Sequence, residues 1–338
     1  MNLNVVWFIL VGVLFVGYAI LDGFDFGVGA WHLFVKKDED RRVLLNAIGP
    51  VWDGNEVWLV TGGGALFAAF PEAYATVFSG FYLAFMLLLC MLIFRAVAIE
   101  FRSKQPMLWW RRMWDASFCV SSVLSALLIG VALGNLIYGV PLAADHEFAG
   151  SFLGLLHPYA LLVGITTVAL FMMHGAIYLV LKTEGGLHER FRAWAVNGII
   201  FFVICYAMTT MATLIFIPRM TAPMKDYPVL FVVALMSMLA IANIPRELHR
   251  RREWNAFLSS CAAMAALLTL FGIGVFPNVV VSNPHPEYSL TIYNAASSSK
   301  TLGIMLVIAL IGVPIVLAYT GTIHWIFRGK VKLDRTSY

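Results

Sequence analysis

Charge is scarce in this chain. Asp, Glu, Lys and Arg make up 12% of its 338 residues, against about 25% in an ordinary soluble domain. So few charged groups cannot clothe a water-facing globular surface, and hydrophobic residues reach 61%. Cysteine is also sparse: Cys90, Cys119, Cys205 and Cys261 lie far apart inside apolar runs. They read as small packing residues rather than a disulfide framework or a metal set. No Lys or Arg precedes the apolar run 5–21, and no small-residue cleavage site comes before Asp22. The run is therefore expected to be a first spanning helix, not a signal peptide. No connecting segment is long enough for a soluble domain, so residues 1–338 read as a single transmembrane domain. The net charge of +4 gives no nucleic-acid footprint, because the basic residues are confined to particular loops.

What is present is a series of long apolar segments. A span needs about 20 mainly apolar residues, which predicts nine helices: 5–34, 51–70, 73–101, 115–138, 157–181, 193–217, 228–244, 254–276 and 301–327. All but four of the 23 Lys and Arg fall after predicted helices 1, 3, 5, 7 and 9, the last group including Arg335. The exceptions are Arg95, Arg219, Lys225 and Lys300. By the positive-inside rule the N-terminus is expected outside and the C-terminus in the cytoplasm.

Against this background the buried charges stand out. Asp22 and Asp25 lie within the first run, Asp53 and Glu56 open the second, and Arg95 lies inside the third. Both acid pairs are three apart, so each pair is expected to share a helix face. At 1.5 Å of rise per residue, Asp25 lies roughly 16 Å and Asp22 roughly 21 Å above the cytoplasmic boundary. Asp53, Glu56 and Arg95 fall within roughly 10 Å of it. Ionisable groups at such depth are costly and mark ion paths or proton relays. Three readings remain open: a proton-conducting file of Asp53, Asp22, Asp25 and Glu56; polar glue with Arg95 as ion-pair partner; or a cation- or proton-coupled secondary transporter. The transporter reading expects broken helices paired between two halves, whereas the acids crowd into the first third.

Glycines supply close approaches rather than phosphate chemistry. Gly23 and Gly27 flank Asp25 as a small-xxx-small pair, and no Lys-Ser or Lys-Thr follows Gly62-Gly63-Gly64. Of the histidines only His174 falls near mid-membrane. A lone mid-span histidine makes a poor case for haem, whose iron often takes an axial His, so a packed or hydrogen-bonded His174 is expected. Most Trp residues fall at predicted helix ends, as an interfacial belt should, and Trp58 lies deeper.

Several stretches together closely resemble subunit II of the bacterial cytochrome bd quinol oxidases. They are Leu21-Asp22-Gly23-Phe24-Asp25-Phe26-Gly27-Val28-Gly29, Pro50-Val51-Trp52-Asp53-Gly54-Asn55-Glu56-Val57-Trp58 and Gly63-Gly64-Ala65-Leu66-Phe67-Ala68-Ala69-Phe70-Pro71. Arg111-Arg112-Met113-Trp114-Asp115 and Gly130-Val131-Ala132-Leu133-Gly134-Asn135 add to the likeness. The resemblance implies an all-α polytopic fold of two four-helix bundles, about 5–138 and 157–276, with a peripheral helix at about 301–327. It implies a heterodimer with a subunit I that carries haems b and haem d, oxidises quinol and reduces O2 to water. A further single-span peptide is often present. This chain would bind no haem or metal itself. Asp53 inherits the role of an aspartate lining a cytoplasmic proton path, Asp22 and Asp25 match the family's first-helix acids, and Trp58 is similar to a tryptophan bordering an apolar O2 route. Some relatives hold a structural quinone in this subunit; the connection 218–227 is short here, and the quinone stays open.

Overall fold

The computed structural model describes residues 2–333, so Arg335 of the predicted basic tail lies outside the described residues. The apolar runs fold as helices because only a helix or closed barrel satisfies its own backbone in lipid. In order these are α1 (Leu3–His32), α2 (Asp38–Ile48), α3 (Trp52–Ala69), α4 (Pro71–Gly80), α5 (Tyr82–Phe101), α6 (Leu108–Tyr138) and α7 (Pro158–Lys182). They continue with α8 (Gly185–Phe216), α9 (Ala222–Asp226), α10 (Phe231–His249), α11 (Glu253–Val275) and α12 (Ser299–Ile326). Between α11 and α12 an antiparallel pair, β1 (Asn278–Val280) and β2 (Leu290–Thr291), sets Asn278 opposite Thr291 and Val280 opposite Leu290.

Eight helices among the described residues are long and apolar enough to cross a membrane: α1, α5, α6, α7, α8, α10, α11 and α12. The second predicted span, α3, is not among them: it is 18 residues long, and Asp53, Asn55 and Glu56 near its start dilute its apolarity. The third predicted segment is two helices, α4 and α5, broken at Phe81. Gly80, just before the break, lets the Phe148 ring pack closely: a Cβ there would come within 2.7 Å of it. Helix α2 was not anticipated. Its first turn holds Asp38, Glu39 and Asp40, favourable at a positive helix end, and it buries Leu44, Leu45, Ala47 and Ile48. Helix α10, expected to stop before Pro245, continues through it to His249. A serine caps the start of the last helix: Ser298 Oγ accepts from Thr301 N at 3.2 Å.

Helices α1, α6 and α7 form the middle of the molecule, with α3 on α1, α5 on α6, α8 on α7, and α11 on α10, α7 and α1. The α1–α7 approach depends on glycine: a Cβ on Gly27 would overlap the Phe171 carbonyl, and Gly175 lies directly opposite. Such contacts let van der Waals packing hold helices together where lipid offers no hydrophobic drive. Helix α12 is the least covered, exposing Ile304, Val307, Ile308, Ile311 and Ile315. Its following segment returns to the body, where Val331 N donates to Lys182 O and Lys330 reaches Glu253 at 3.6 Å.

The loops after α1, α5, α7 and α10 gather at one end. Asp38 pairs with Arg102 at 2.7 Å and Arg111 at 3.0 Å, Asp40 with Arg190 at 3.5 Å, and Arg192 donates to Leu248 O at 2.8 Å. This is the basic end of the molecule.

Candidate functional site

Helices α1, α3 and α5 bring the predicted charges together. Arg95 and Asp22 are both fully buried and pair at 2.7 Å. The same guanidinium bonds Glu56. Its carbon sits 4.2 Å from the centroid of the Phe26 ring, a cation–π placement that steadies a charge away from water. Arg95 is suited to this because its planar group presents several donors at once and never loses its proton. Asp25, one turn from Asp22, takes a different partner: Asn55 Nδ2 donates to its Oδ2 at 2.8 Å and to Leu21 O at 3.1 Å. The amide thereby ties the first turns of α3 to the middle of α1.

Asp53 stands apart. It is exposed, and its carboxylate makes no hydrogen bond or ion pair among the described residues. Three residues on a helix leave about 60° between side chains; that angle sends Glu56 inward to Arg95 while Asp53 lies on the outer strip. That strip continues through Gly54, Val57, Val60, Thr61, Gly64 and Phe67, all exposed. Trp58 is buried on the opposite side. It packs with Tyr18, Phe26, Phe171 and Met264, over Gly17, where a Cβ would have no room beside the indole.

His174 is held at both ring nitrogens, Nδ1 to Ser260 Oγ at 2.7 Å and Nε2 to Ile20 O at 3.0 Å. Its ring stacks on Phe257 at 5.0 Å. An axial haem ligand needs one of those nitrogens free, so His174 does not fit that role. No group of three or more His, Cys, Asp or Glu among the described residues could hold a metal ion.

A second charged cluster escaped the sequence reading. Asp115, 1% exposed, receives His32 Nε2 at 2.5 Å, Arg41 Nη1 at 2.7 Å and Arg102 Nε at 2.5 Å. It locks the basic ends of α1, α5 and α6 to the first turn of α2, where Arg41 sits. The available signal was a carboxylate set directly after Arg111 and Arg112 in a helix whose apolar run begins only later.

A multi-pass helical chain with acids gathered around one buried arginine is a membrane protein that keeps ionised groups inside its helix bundle. Its family is defined by comparison: the chain belongs to the cytochrome bd terminal oxidase subunit II family, whose model matches residues 3–327. It is similar to the cytochrome bd-I ubiquinol oxidase subunit 2 of Escherichia coli K12, 37% identical over 361 residues that span 97% of this chain and 95% of that protein. The cytochrome bd ubiquinol oxidase subunit 2 of Bacillus subtilis is 37% identical over 335 residues, 98% of this chain and 97% of that one. A chain of the bd oxidase from Geobacillus thermodenitrificans shares the fold, with a TM-score of 0.81 at 17% identity over 97% of this chain and 99% of that chain. This protein is thus a subunit of a cytochrome bd oxidase, an oxidoreductase of respiratory electron transport, and a multi-pass protein of the bacterial inner membrane. Membership implies a partner subunit I and haems within the oxidase complex.

Proposed function

We propose that this chain is the haem-free subunit II of an electrogenic bd-type terminal oxidase that oxidises quinol and reduces O2 to water. Subunit I would hold haems b and haem d, with a small single-span peptide as a further partner. In this reading α3 supplies a ninth crossing, α4 and α5 together make the third, the N-terminus lies outside and the C-terminus in the cytoplasm. Helices α1, α3, α5 and α6 make one four-helix bundle, α7, α8, α10 and α11 the other, and α12 is peripheral. The gathering of basic loops at one end supports this orientation.

The observation that carries the reading is an excess of acid around one cation. Asp22 and Glu56 pair with the single guanidinium of Arg95, and Asp25, one turn from Asp22, is held by Asn55 with no cation bonded to it among the described residues. Three carboxylates around one buried cation leave an excess of negative charge, which favours protons held within the cluster. Asp53, one turn from Glu56 on the exposed strip of α3, would receive protons from the cytoplasm and face subunit I. The small residues Gly54, Thr61 and Gly64 on that strip suit a close helix contact. Trp58, deep in its aromatic cluster, would border the O2 route, whose walls must be apolar. Reduction of each O2 consumes four protons; drawing them from inside while quinol protons leave outside stores about 2.3 kcal/mol per charge per 100 mV.

The test is Asp53→Asn, expressed with subunit I. Oxygen consumption should fall at least about tenfold, less than a lone general acid would lose because Glu56 stands one turn away. The haem spectra should be unchanged. Wild-type turnover together with wild-type charge separation would remove Asp53 from the path.

A further inference from the structure

The seam between α1 and α6 hides polar side chains that the proposed function leaves without a task. Ser122 and Ser125 on α6 are fully buried, and neither hydroxyl has a hydrogen-bond partner among the described residues. At the basic end of the seam, buried His32 bonds Asp115 through Nε2, while its Nδ1 is unpartnered. At the other end Asp25 Oδ1 and Arg95 Nε and Nη1 are buried and unpartnered as well. Polar atoms hidden in this way are costly, and native proteins serve them with protein groups or with buried water.

These groups form a line. A Cβ built on Gly29 would overlap Ser122 Oγ, which fixes Ser122 one turn along α1 from His32. The helices are antiparallel, since Cys119 Sγ bonds Ala30 O while Ala126 packs in one cluster with Phe26. Ser125 therefore lies level with Asp25 and Phe26. It is turned about 60° from Ser122, toward the side where Ser117 donates to Phe94 O of α5. Arg95 occupies that same corner between α1 and α5, over the Phe26 ring.

We propose that a file of bound waters threads this seam, from His32 past Ser122 and Ser125 to Asp25 and Arg95. It carries protons from the basic end to the acid cluster, as a second route beside Asp53. The inference rests on the proton-handling reading of that cluster. Each hydroxyl or water accepts one proton and passes on another, so one proton leaves the solvent, one arrives at Asp25, and no electron moves. Arg41 and Asp38, both partly exposed, join the Asp115–His32 group to the solvent.

The intact oxidase complex supplies the test. Radiolytic hydroxyl labelling generates radicals from water in place, so Phe118 and Phe26, each 1% exposed, should be modified although bulk water does not reach them. Absence of label on both would overturn the proposal. In turnover assays at equal haem content, Asp53→Asn with Ser125→Val should run about fivefold slower than Asp53→Asn alone, the factor one net hydrogen bond is worth. Ser125→Thr, which keeps a hydroxyl, should restore most of that loss. Equal rates for the double and single variants would also overturn the proposal. If Asp53→Asn turns over normally, the Asp53 route fails, yet Ser125→Val alone still reads the seam. Ser125→Ala, which adds no bulk, replaces the valine if that variant loses haem.

Discussion

Two buried charge clusters face each other along α1, and their compositions are opposite. At the basic end one carboxylate, Asp115, is held by Arg41, Arg102 and His32. Further in, one guanidinium, Arg95, is shared among acids, pairing with Asp22 and Glu56 while Asp25 lies beside them. The difference lies in what each can do when unbalanced. Carboxylates can take up a proton; arginine cannot lose one. An acid-rich cluster therefore answers a disturbance by changing its proton count, whereas an arginine-rich cluster must keep its anion or come apart. The first composition suits a changing proton count, and the second holds the helix ends in place around the mouth of the proposed water file.

The sharpest way to break this comparison is to remove the anion of the joint. Asp115→Asn strips Arg41 and Arg102 of the buried carboxylate they share, leaving Arg102 only the exposed Asp38, and such losses cost about 3–5 kcal/mol. Thermal unfolding of the purified complex should shift accordingly, with reduced yield and haem content, at every pH where the protein is handled. Arg95→Gln should cost less, about 1–3 kcal/mol, because the acids left behind can be neutralised by protons. Its sign with pH follows: the deficit is largest in mildly alkaline buffer, where the acids stay ionised, and shrinks in mildly acidic buffer. The Asp115→Asn deficit should show no such relief. Equal pH profiles for the two variants would remove the distinction between joint and transfer site.

Much of the acid cluster was legible because a charge inside an apolar run is conspicuous, and helical rise converts its position into depth. Asp22, Glu56 and Arg95 do meet, and Arg95 serves as the expected ion-pair partner. Side-chain direction was less legible. Sharing a face at i, i+3 placed Asp53 with Glu56, yet only Glu56 reaches Arg95, and Asp53 is left on the outer strip. Asn55 stands in the conspicuous Trp52–Trp58 stretch, but an uncharged amide does not announce its partner, and nothing in the sequence paired it with Asp25. The Asp115 joint was hidden because its three partners, His32, Arg41 and Arg102, come from the ends of three different helices, and each alone looks like an ordinary boundary residue. Helix α2 was hidden for a related reason: its buried Leu44, Leu45, Ala47 and Ile48 pack in one core cluster with residues such as Phe191 and Leu248 that lie far along the chain.

The smallest expected effect sharpens the comparison from within the acid cluster. The Glu56 side chain is 24% exposed, whereas Asp22 and Arg95 are sealed. Water screens a pair that reaches the surface, so Glu56→Gln should cost no more than about 1 kcal/mol of stability. The amide can still accept a hydrogen bond from Arg95, and Asp22 remains to balance the guanidinium. A proton carrier is judged differently from a structural pair, however, since glutamine cannot release and regain a proton. Glu56→Gln should therefore leave the unfolding temperature and haem spectra near those of the wild type while lowering oxygen consumption. Combined with Asp53→Asn it should lower turnover more than either change alone, because each acid covers for the other one helical turn away. A variant with unaltered turnover in both backgrounds would make Glu56 a spectator and shift the transfer role to Asp22 and Asp25 alone.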